Sequence, residues 1–411
     1  MRTRRQKILE DRQAVVGRLN AGENSLTIPD DLISEIFSRL PAKSIARCRC
    51  LSKLWASVLD GQAFTDLYLK RSSARPQLLF AFQEDGEVFF FSSPHQPQNQ
   101  EEVDNISHVA VNYHMSFPST RDNDINILTA ISGWVCARDK NKMAWVLCNP
   151  STGQSFTLPT IKTRIKTRDV YKVRYFSGYD PVDKKVKVLS IRWERGRDGS
   201  MYQEHQVLTL ETGKLSWRMI ECDVPHLPYS TSVCINGVLY YKADLQGSSS
   251  FHDTIMSFDV RSEKYNFIKV VEPFTGLLHP ATTLINCNGK LASIRANDGF
   301  CFSRKTTSFE MWVLDDLEKK EWSKHVYELP PIWENVAADN VLYCAGVTCS
   351  NEVVLVKYFL DGPFYVFYFS LKTETSRTVE IQGMGAFRDH RVYTFVDHVE
   401  DVKLLKAVLG L

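Results

Sequence analysis

The chain has 411 residues, 44% hydrophobic and 24% charged, with a formal net charge of +2. That balance describes a soluble globular chain of about two to three domains, and it excludes a global electrostatic drive toward nucleic acid or an anionic membrane. No apolar run reaches the ~18 residues of a transmembrane helix, and the N-terminus lacks the apolar stretch of a secretory signal. The 10 cysteines lie mostly inside apolar runs, as expected in a reducing compartment where cysteine behaves as a small hydrophobe, so the expected location is cytoplasm, nucleus or both.

Residues 1–24 begin with Arg2, Arg4, Arg5 and Lys7. The expectation is a solvated, disordered basic tail, with a nuclear-localisation signal as the alternative reading. From Ser25 to Leu59 the pattern turns helical. Thr27 and Asp30 stand at capping-box spacing, with Pro29 suited to a first turn. Leu32, Ile33, Ile36, Phe37 and Leu40 form an apolar stripe. Pro41 stops that helix and can start the next. Ile45, Ala46 and Cys48 to Leu51 carry a second short segment, and Leu51, Leu54, Trp55 and Val58 a third, closed by Asp60-Gly61. A module of about 35 residues is too small for an independent core, so some of these faces should be covered by another chain.

The stretch resembles an F-box. The carrying residues are Ile28-Pro29-Asp30-Asp31-Leu32-Ile33-Ser34-Glu35-Ile36-Phe37-Ser38-Arg39-Leu40-Pro41 and Leu51-Ser52-Lys53-Leu54-Trp55. Mild departures are Ile28 for leucine, Leu51 for valine and Leu54 for a polar residue. The resemblance implies a three-helix F-box over residues 25–70 that binds a Skp-type adaptor and, through it, the cullin and RING subunits of a ubiquitin ligase. The implied adaptor contacts are Ile28, Pro29, Leu32, Ile33, Ile36, Leu40, Pro41, Ile45, Leu51 and Trp55.

Phe64, Leu67, Tyr68 and Leu69 add a helical turn, and Arg71 to Pro76 read as the core of a linker spanning 71–77. Beyond it, aromatic and β-branched residues dominate, and turn signals recur every roughly 8–15 residues. One set of turns comprises Ser132-Gly133, Asp180-Pro181-Val182-Asp183, Asn236-Gly237, Asn288-Gly289 and Ser350-Asn351. Asn-Gly between apolar runs is the strongest short hairpin signal. A second set of hairpins starts at Val146, Val207, Ile255, Met311 and Phe364, about 50–60 residues apart, which fits a propeller blade with long loops.

Two hairpins make a four-stranded blade, so residues Ile127 to Ile381 hold five. The hairpin at Leu78–Phe91 and the strand at Arg391–Asp397 should pair into a composite sixth blade, because a ring left open exposes strand edges. Seven blades are the alternative if Ile106–Val111 belongs to an extra one. A β-sandwich needs about seven strands, far fewer than these hairpins supply. The expected fold is therefore mainly β: a propeller over residues 78–400, preceded by the helical module and followed by a tail at 401–411. Trp193, Trp217, Trp312 and Trp322 recur once per blade and read as packing residues.

This region resembles the F-box-associated, kelch-like propeller domain of plant F-box proteins. The matching phrases are Cys148 to Gly153, Gly178 to Val188, Cys234 to Tyr241, Phe258 to Lys264 and Trp312 to Ser323, without the double glycines of true kelch repeats.

Catalytic signatures are missing. The chain has no G-x-S-x-G elbow, P-loop, H-E-x-x-H or paired C-x-x-C. Cys48 and Cys50 are poorly spaced for zinc, and Asp315-Asp316 reads as a solvated turn. No cofactor or metal is expected. The expected role is a non-catalytic substrate receptor of an SCF-type ubiquitin ligase, binding an unknown protein target and neither nucleic acid nor membrane. Alternatives are a propeller that senses a ligand or acts as an enzyme, and an adaptor complex outside ubiquitination. Loops on a rigid scaffold are where recognition usually sits. Turns within hairpins are short, whereas the connections between hairpins and between blades are long. Tyr229, Phe274 and Trp333 on those connections are the expected target-binding residues.

Overall fold

In the computed structural model, residues 28–404 are described except 96–106, 119–124, 132, 140–143, 166–172, 197–199, 211–214, 246–251, 271–277, 279–281, 300, 332, 338–339, 361 and 385–389. The basic tail and most of the C-terminal tail lie outside the described residues. The chain divides into two compact units, Met1–Tyr68 and Leu69–Leu411.

The first unit is built from helices α1 (Asp30–Phe37), α2 (Ala42–Leu51), α3 (Lys53–Asp60) and the start of α4 (Gln62–Ser73). Its core takes Ile33, Phe37, Ala42, Ile45, Leu59, Phe64 and Tyr68. Burying a side chain the size of Ile33 or Phe37 contributes about 1.5–3 kcal/mol. Trp55 lies edge-on to Phe37, with ring centroids 5.1 Å apart. Arg49 ties the corner together: it donates to the Leu59 carbonyl at 2.7 Å and pairs with Asp60 at 2.9 Å. Two details differ from the sequence reading. Pro29 is the N-cap of α1 and makes no side-chain cap bond, leaving Asp30 and Asp31 in the first turn to complement the helix dipole. The segment after Gly61, expected as one helical turn before a linker at 71–77, is a full helix running through Ser73, with the Thr65 and Ser73 hydroxyls donating back to the carbonyls of Gln62 and Leu69.

The second unit is a six-bladed propeller. Blade 2 holds β5 (Ile125–Ile131), β6 (Trp134–Asp139), β7 (Ala144–Asn149) and β8 (Gln154–Thr157). Blade 3 holds β9 (Val173–Asp180), β10 (Lys185–Arg195), β11 (Met201–Leu210) and β12 (Arg218–Ile220). Blade 4 holds β13 (His226–Ile235), β14 (Val238–Leu245), β15 (His252–Asp259) and β16 (Tyr265–Ile268). Blade 5 holds β17 (Thr283–Cys287), β18 (Lys290–Ala296), β19 (Ser308–Asp316) and β20 (Glu321–Glu328). Blade 6 holds β21 (Leu342–Val347), β22 (Glu352–Lys357), β23 (Phe364–Ser370) and β24 (Ser376–Gln382).

Blade 1 is composite, in the order β25 (Tyr393–His398), β1 (Gln77–Glu84), β2 (Glu87–Pro94), β4 (Asn112–Pro118). The last strand therefore pairs with the first, Gln77 opposite His398 and Ala81 opposite Tyr393. The segment that raised the alternative of seven blades is β3 (Ser107–Ala110), which joins blade 6 in parallel beside β24. The ring is thus closed twice. A C-terminal strand lies innermost in blade 1, and an N-terminal strand lies outermost in blade 6.

Six apolar layers hold the blades together, one between each successive pair. The tryptophans belong to these layers, but they come two to a blade rather than once per blade: Trp193 and Trp217 in blade 3, Trp312 and Trp322 in blade 5, with Trp193 and Trp312 buried and Trp217 and Trp322 packed on layers from the side. At Gly178 the packing leaves no room for a side chain, since a Cβ there would lie 2.5 Å from Val260 of the next blade.

The turns explain why the sequence breaks where it does. Asn236-Gly237 and Asn288-Gly289 both take positive φ at both positions, as two-residue hairpin turns require. The turns after the third strands share a different device. Asn149, Asp259 and Asp316 accept backbone N–H bonds from two or three residues ahead. The loop then closes on a left-handed residue, Gly153, Glu263 or Lys320. This is the Asx-turn geometry that short polar side chains favour. Both kinds of turn emerge on one face of the propeller. The longer connections between hairpins and between blades emerge on the other.

Candidate adaptor-binding and target-binding surfaces

Helix α1 carries two apolar stripes. Ile33 and Phe37 face inward, whereas Leu32 and Ile36, one residue earlier in each pair, are both 53% exposed. The four-residue spacing puts Leu32 and Ile36 on one side of the helix. Ile28 before α1, Leu51 at the end of α2 (75% exposed) and Leu54 at the start of α3 are also exposed. Pro29 and Pro41 are exposed and Leu40 is half-buried.

Two of the expected adaptor contacts are placed otherwise. Ile33 and Ile45 are fully buried, because each points into the unit's own small core, and neither presents a surface to a partner. Trp55 is half-buried against Phe37. Leu54, read in the sequence as part of the third apolar stripe and as a departure from the family pattern but not as an adaptor contact, joins the exposed set.

The propeller alters the expected target-binding set. Phe274 lies outside the described residues. Trp333, expected to be exposed, is only 2% exposed. It sits on the short helix α5 (Trp333–Ala337), donates its indole N–H to the Ser303 carbonyl at 2.9 Å and packs edge-on to Phe367. The connection between blades 5 and 6 folds down over the apolar layer, so this tryptophan plugs that layer. Tyr229 lies within β13 rather than on a loop, is half-buried, and donates its hydroxyl to the Leu278 carbonyl at 3.0 Å. The connection expected over Glu194–Gln203 is a ribbon: Trp193 pairs with Gln203 and Arg195 with Met201, beyond the reach of β9 and β12. It leaves Tyr202 exposed on the long-connection face.

Sequence reasoning missed a second feature of that face. Tyr358 and Phe359 follow β22, Arg391 precedes β25, and all three are exposed. The sequence gives no local sign that they meet.

A polar network is buried between blades 3 and 4. His205 bonds the Tyr265 hydroxyl at 2.7 Å, and His226 bonds the Tyr241 hydroxyl and the Val224 carbonyl, each at 2.7 Å. The Gln203 amide donates to the His226 carbonyl at 2.9 Å. Burial pushes His205 down to about 3, helped by His226, and burial pushes His226 down to about 4. Both imidazoles are therefore neutral, and the bonds from Gln203 and His205 tie β11 of blade 3 to β13 and β16 of blade 4. Among the described residues, no group of three or more His, Cys, Asp or Glu side chains is placed to hold a metal ion.

A small helical unit with an outward apolar stripe, followed by a propeller, is the two-part architecture expected of an F-box protein. The family comparisons agree on both units. Residues 25–67 match the F-box domain, and residues 77–399 match the F-box associated beta propeller domain. The chain belongs to this family. The F-box protein DOR of Arabidopsis thaliana is 49% identical over 98% of this chain and 100% of its own length. F-box protein At5g65850 of the same plant is 45% identical over 98% of this chain and 99% of its own. Among solved structures, the beta-propeller domain of the Trilobed protease from Pyrococcus furiosus aligns with a TM-score of 0.31 and 8% identity, over 72% of this chain and 70% of that one. That likeness is too low to carry an argument.

Proposed function

We propose that this chain is the substrate-receptor subunit of an SCF-type ubiquitin ligase. Its F-box docks a Skp-type adaptor, which brings cullin and RING subunits, and its propeller holds a protein target. The observation that supports this most is the outward stripe. A unit that buries Ile33, Phe37 and Ile45 leaves Ile28, Leu32, Ile36, Leu51 and Leu54 each 49–75% exposed, and a partner surface is the ordinary reason for such a cluster. The chain itself makes and breaks no bond. Holding a target lysine near a charged ubiquitin-conjugating enzyme raises its effective concentration, and that proximity is the catalytic contribution. The reading places the protein in the cytoplasm or nucleus.

The test is co-purification with a Skp-type adaptor. Interface anchors carry about 2 kcal/mol or more each, so L32S and I36S together should weaken adaptor binding by roughly a thousandfold. The propeller should melt unchanged. Undiminished adaptor binding by that double variant would overturn the assignment.

A further inference from the structure

We propose that the patch formed by Tyr358, Phe359 and Arg391, where blade 6 meets blade 1 on the long-connection face, binds a short peptide segment bearing one carboxylate beside an apolar side chain. The proposal rests on the receptor reading and deepens it by naming the chemistry of the target segment.

The patch is built on a rigid base. Phe359 and Arg391 are cross-strand partners in a short antiparallel bridge. The flanking bonds run from Val392 N–H to the Tyr358 carbonyl at 2.8 Å and from Leu360 N–H to the His390 carbonyl at 3.0 Å. Residues opposed between such bonds carry their side chains close together on one face. The alternate residues, Leu360 and Val392, point the other way and are buried in the layer between blades 6 and 1. Tyr358 stacks on Tyr343 with centroids 4.0 Å apart, and the Tyr343 hydroxyl donates to the Val392 carbonyl at 3.3 Å. The platform is thereby fixed from below while Phe359 remains 54% exposed.

Arg391 supplies the charge. Its guanidinium lies 4.7 Å from the Tyr393 ring centroid and 5.7 Å from that of Tyr358. Aromatic faces hold a guanidinium flat and leave its N–H fork free for a bidentate acceptor. Among the described residues no carboxylate pairs with Arg391, and the neighbouring His390 already faces Glu84 at 3.7 Å. An exposed cation between aromatic rings, beside an exposed phenylalanine, is complementary to one anionic and one apolar group. A single guanidinium held between aromatic rings matches the single charge and planar shape of a carboxylate, and that match favours a carboxylate over a phosphate dianion. Burial raises the tyrosine hydroxyls of Tyr343, Tyr358 and Tyr393 above their ordinary range, so all three stay neutral beside the ligand.

The experiment uses the full chain bound to a Skp-type adaptor and pans it against a displayed library of random peptides about twelve residues long. The selected sequences should carry Asp or Glu within a few positions of Leu, Ile or Phe. In fluorescence-polarisation titrations, a synthetic peptide from the selected set should lose roughly tenfold or more in affinity when its acidic residue becomes Gln. R391Q and F359S should each lose a similar factor, and R391K, which keeps the charge but not the fork, should fall between. Y202S, on the same face but on blade 3, should bind as the unaltered protein does. Selected peptides without an acidic–apolar pair, unaltered affinity in R391Q with its melting point unchanged, or preference for phosphoserine over glutamate would each overturn the proposal. The peptide titrations are repeated on the full chain alone, and adaptor binding is measured separately. Failure to bind the adaptor with peptide binding intact would remove the receptor reading and leave the patch standing.

Discussion

The two units of this chain use apolar side chains in opposite ways. In the F-box unit, one short helix divides its apolar residues between two faces, Ile33 and Phe37 inside and Leu32 and Ile36 outside. In the propeller, each blade is sandwiched between two others, and the strands send side chains to both faces into six closed layers. The helical unit is too small to cover all it carries, so apolar exposure there is systematic. The propeller satisfies itself by closing, so exposure there is sporadic, and a local cluster such as Phe359 beside Arg391 stands out.

The largest effect should come from reopening the ring. A chain ending at Gly383 removes β25, leaving the inner edge of β1 bare from Leu79 to Ala81 and uncovering the layer that holds Val392. An unpaired inner edge beside an exposed apolar layer should send most of the protein to the insoluble fraction. A soluble product with an unchanged melting point would show that the double closure is dispensable.

A smaller effect should separate the two stripes of α1. Replacing the outward Leu32 and Ile36 should cost adaptor binding but little stability. I33S buries a hydroxyl and opens a cavity in the unit's own core, which should cost about 3 kcal/mol or more. Limited proteolysis should then cut I33S quickly between residues 28 and 73, and L32S/I36S no faster than the unaltered chain. Equal sensitivity of both variants would mean that the helix lacks the inside–outside division seen here.

The smallest effect is a pH dependence confined to the propeller. His205 and His226 are held below their ordinary value by burial, as is His398, which sits near 3 with the help of His114. Below about pH 6.5 the unfolded chain takes up protons that the folded chain refuses, so stability is full above that pH and falls as the pH drops toward the folded values of about 3 to about 4. The propeller melting point should therefore drop between pH 7 and pH 5, and H205Q/H226Q should show a smaller drop. An equal drop in that variant would assign the effect to other groups. The helical unit, whose core contains no histidine, should not share the trend.

Much of this molecule was legible in order along the chain. The F-box phrase, the paired hairpins and the Asn-Gly turns are local signals, because a turn's chemistry depends on the φ and ψ of adjacent residues, and the turn positions alone imply four-stranded blades. The composite first blade followed from the same logic, since leftover strands at both ends of a ring need one another. The polarity of single positions was less legible. Trp333 and Tyr229 carry the composition of recognition loops, yet one plugs an interblade layer and the other lies in an inner strand with its hydroxyl bonded.

Local chemistry therefore determined where this chain bends, which stretches are helices or strands, and how many blades those strands can build. Only the tertiary structure decided which faces are left over. Ile33 and Leu32 are neighbours of nearly equal hydrophobicity, and the packing of three other helices puts one inside and the other out. The segment at Ser107–Ala110 could have started a blade. It instead completes one whose other strands lie more than two hundred residues further on, because the free edge of β24 was available to pair with. Phe359 and Arg391 meet for the same reason. Their apposition is set by the register of backbone bonds between blades 6 and 1, and neither residue's neighbours in sequence encode that register.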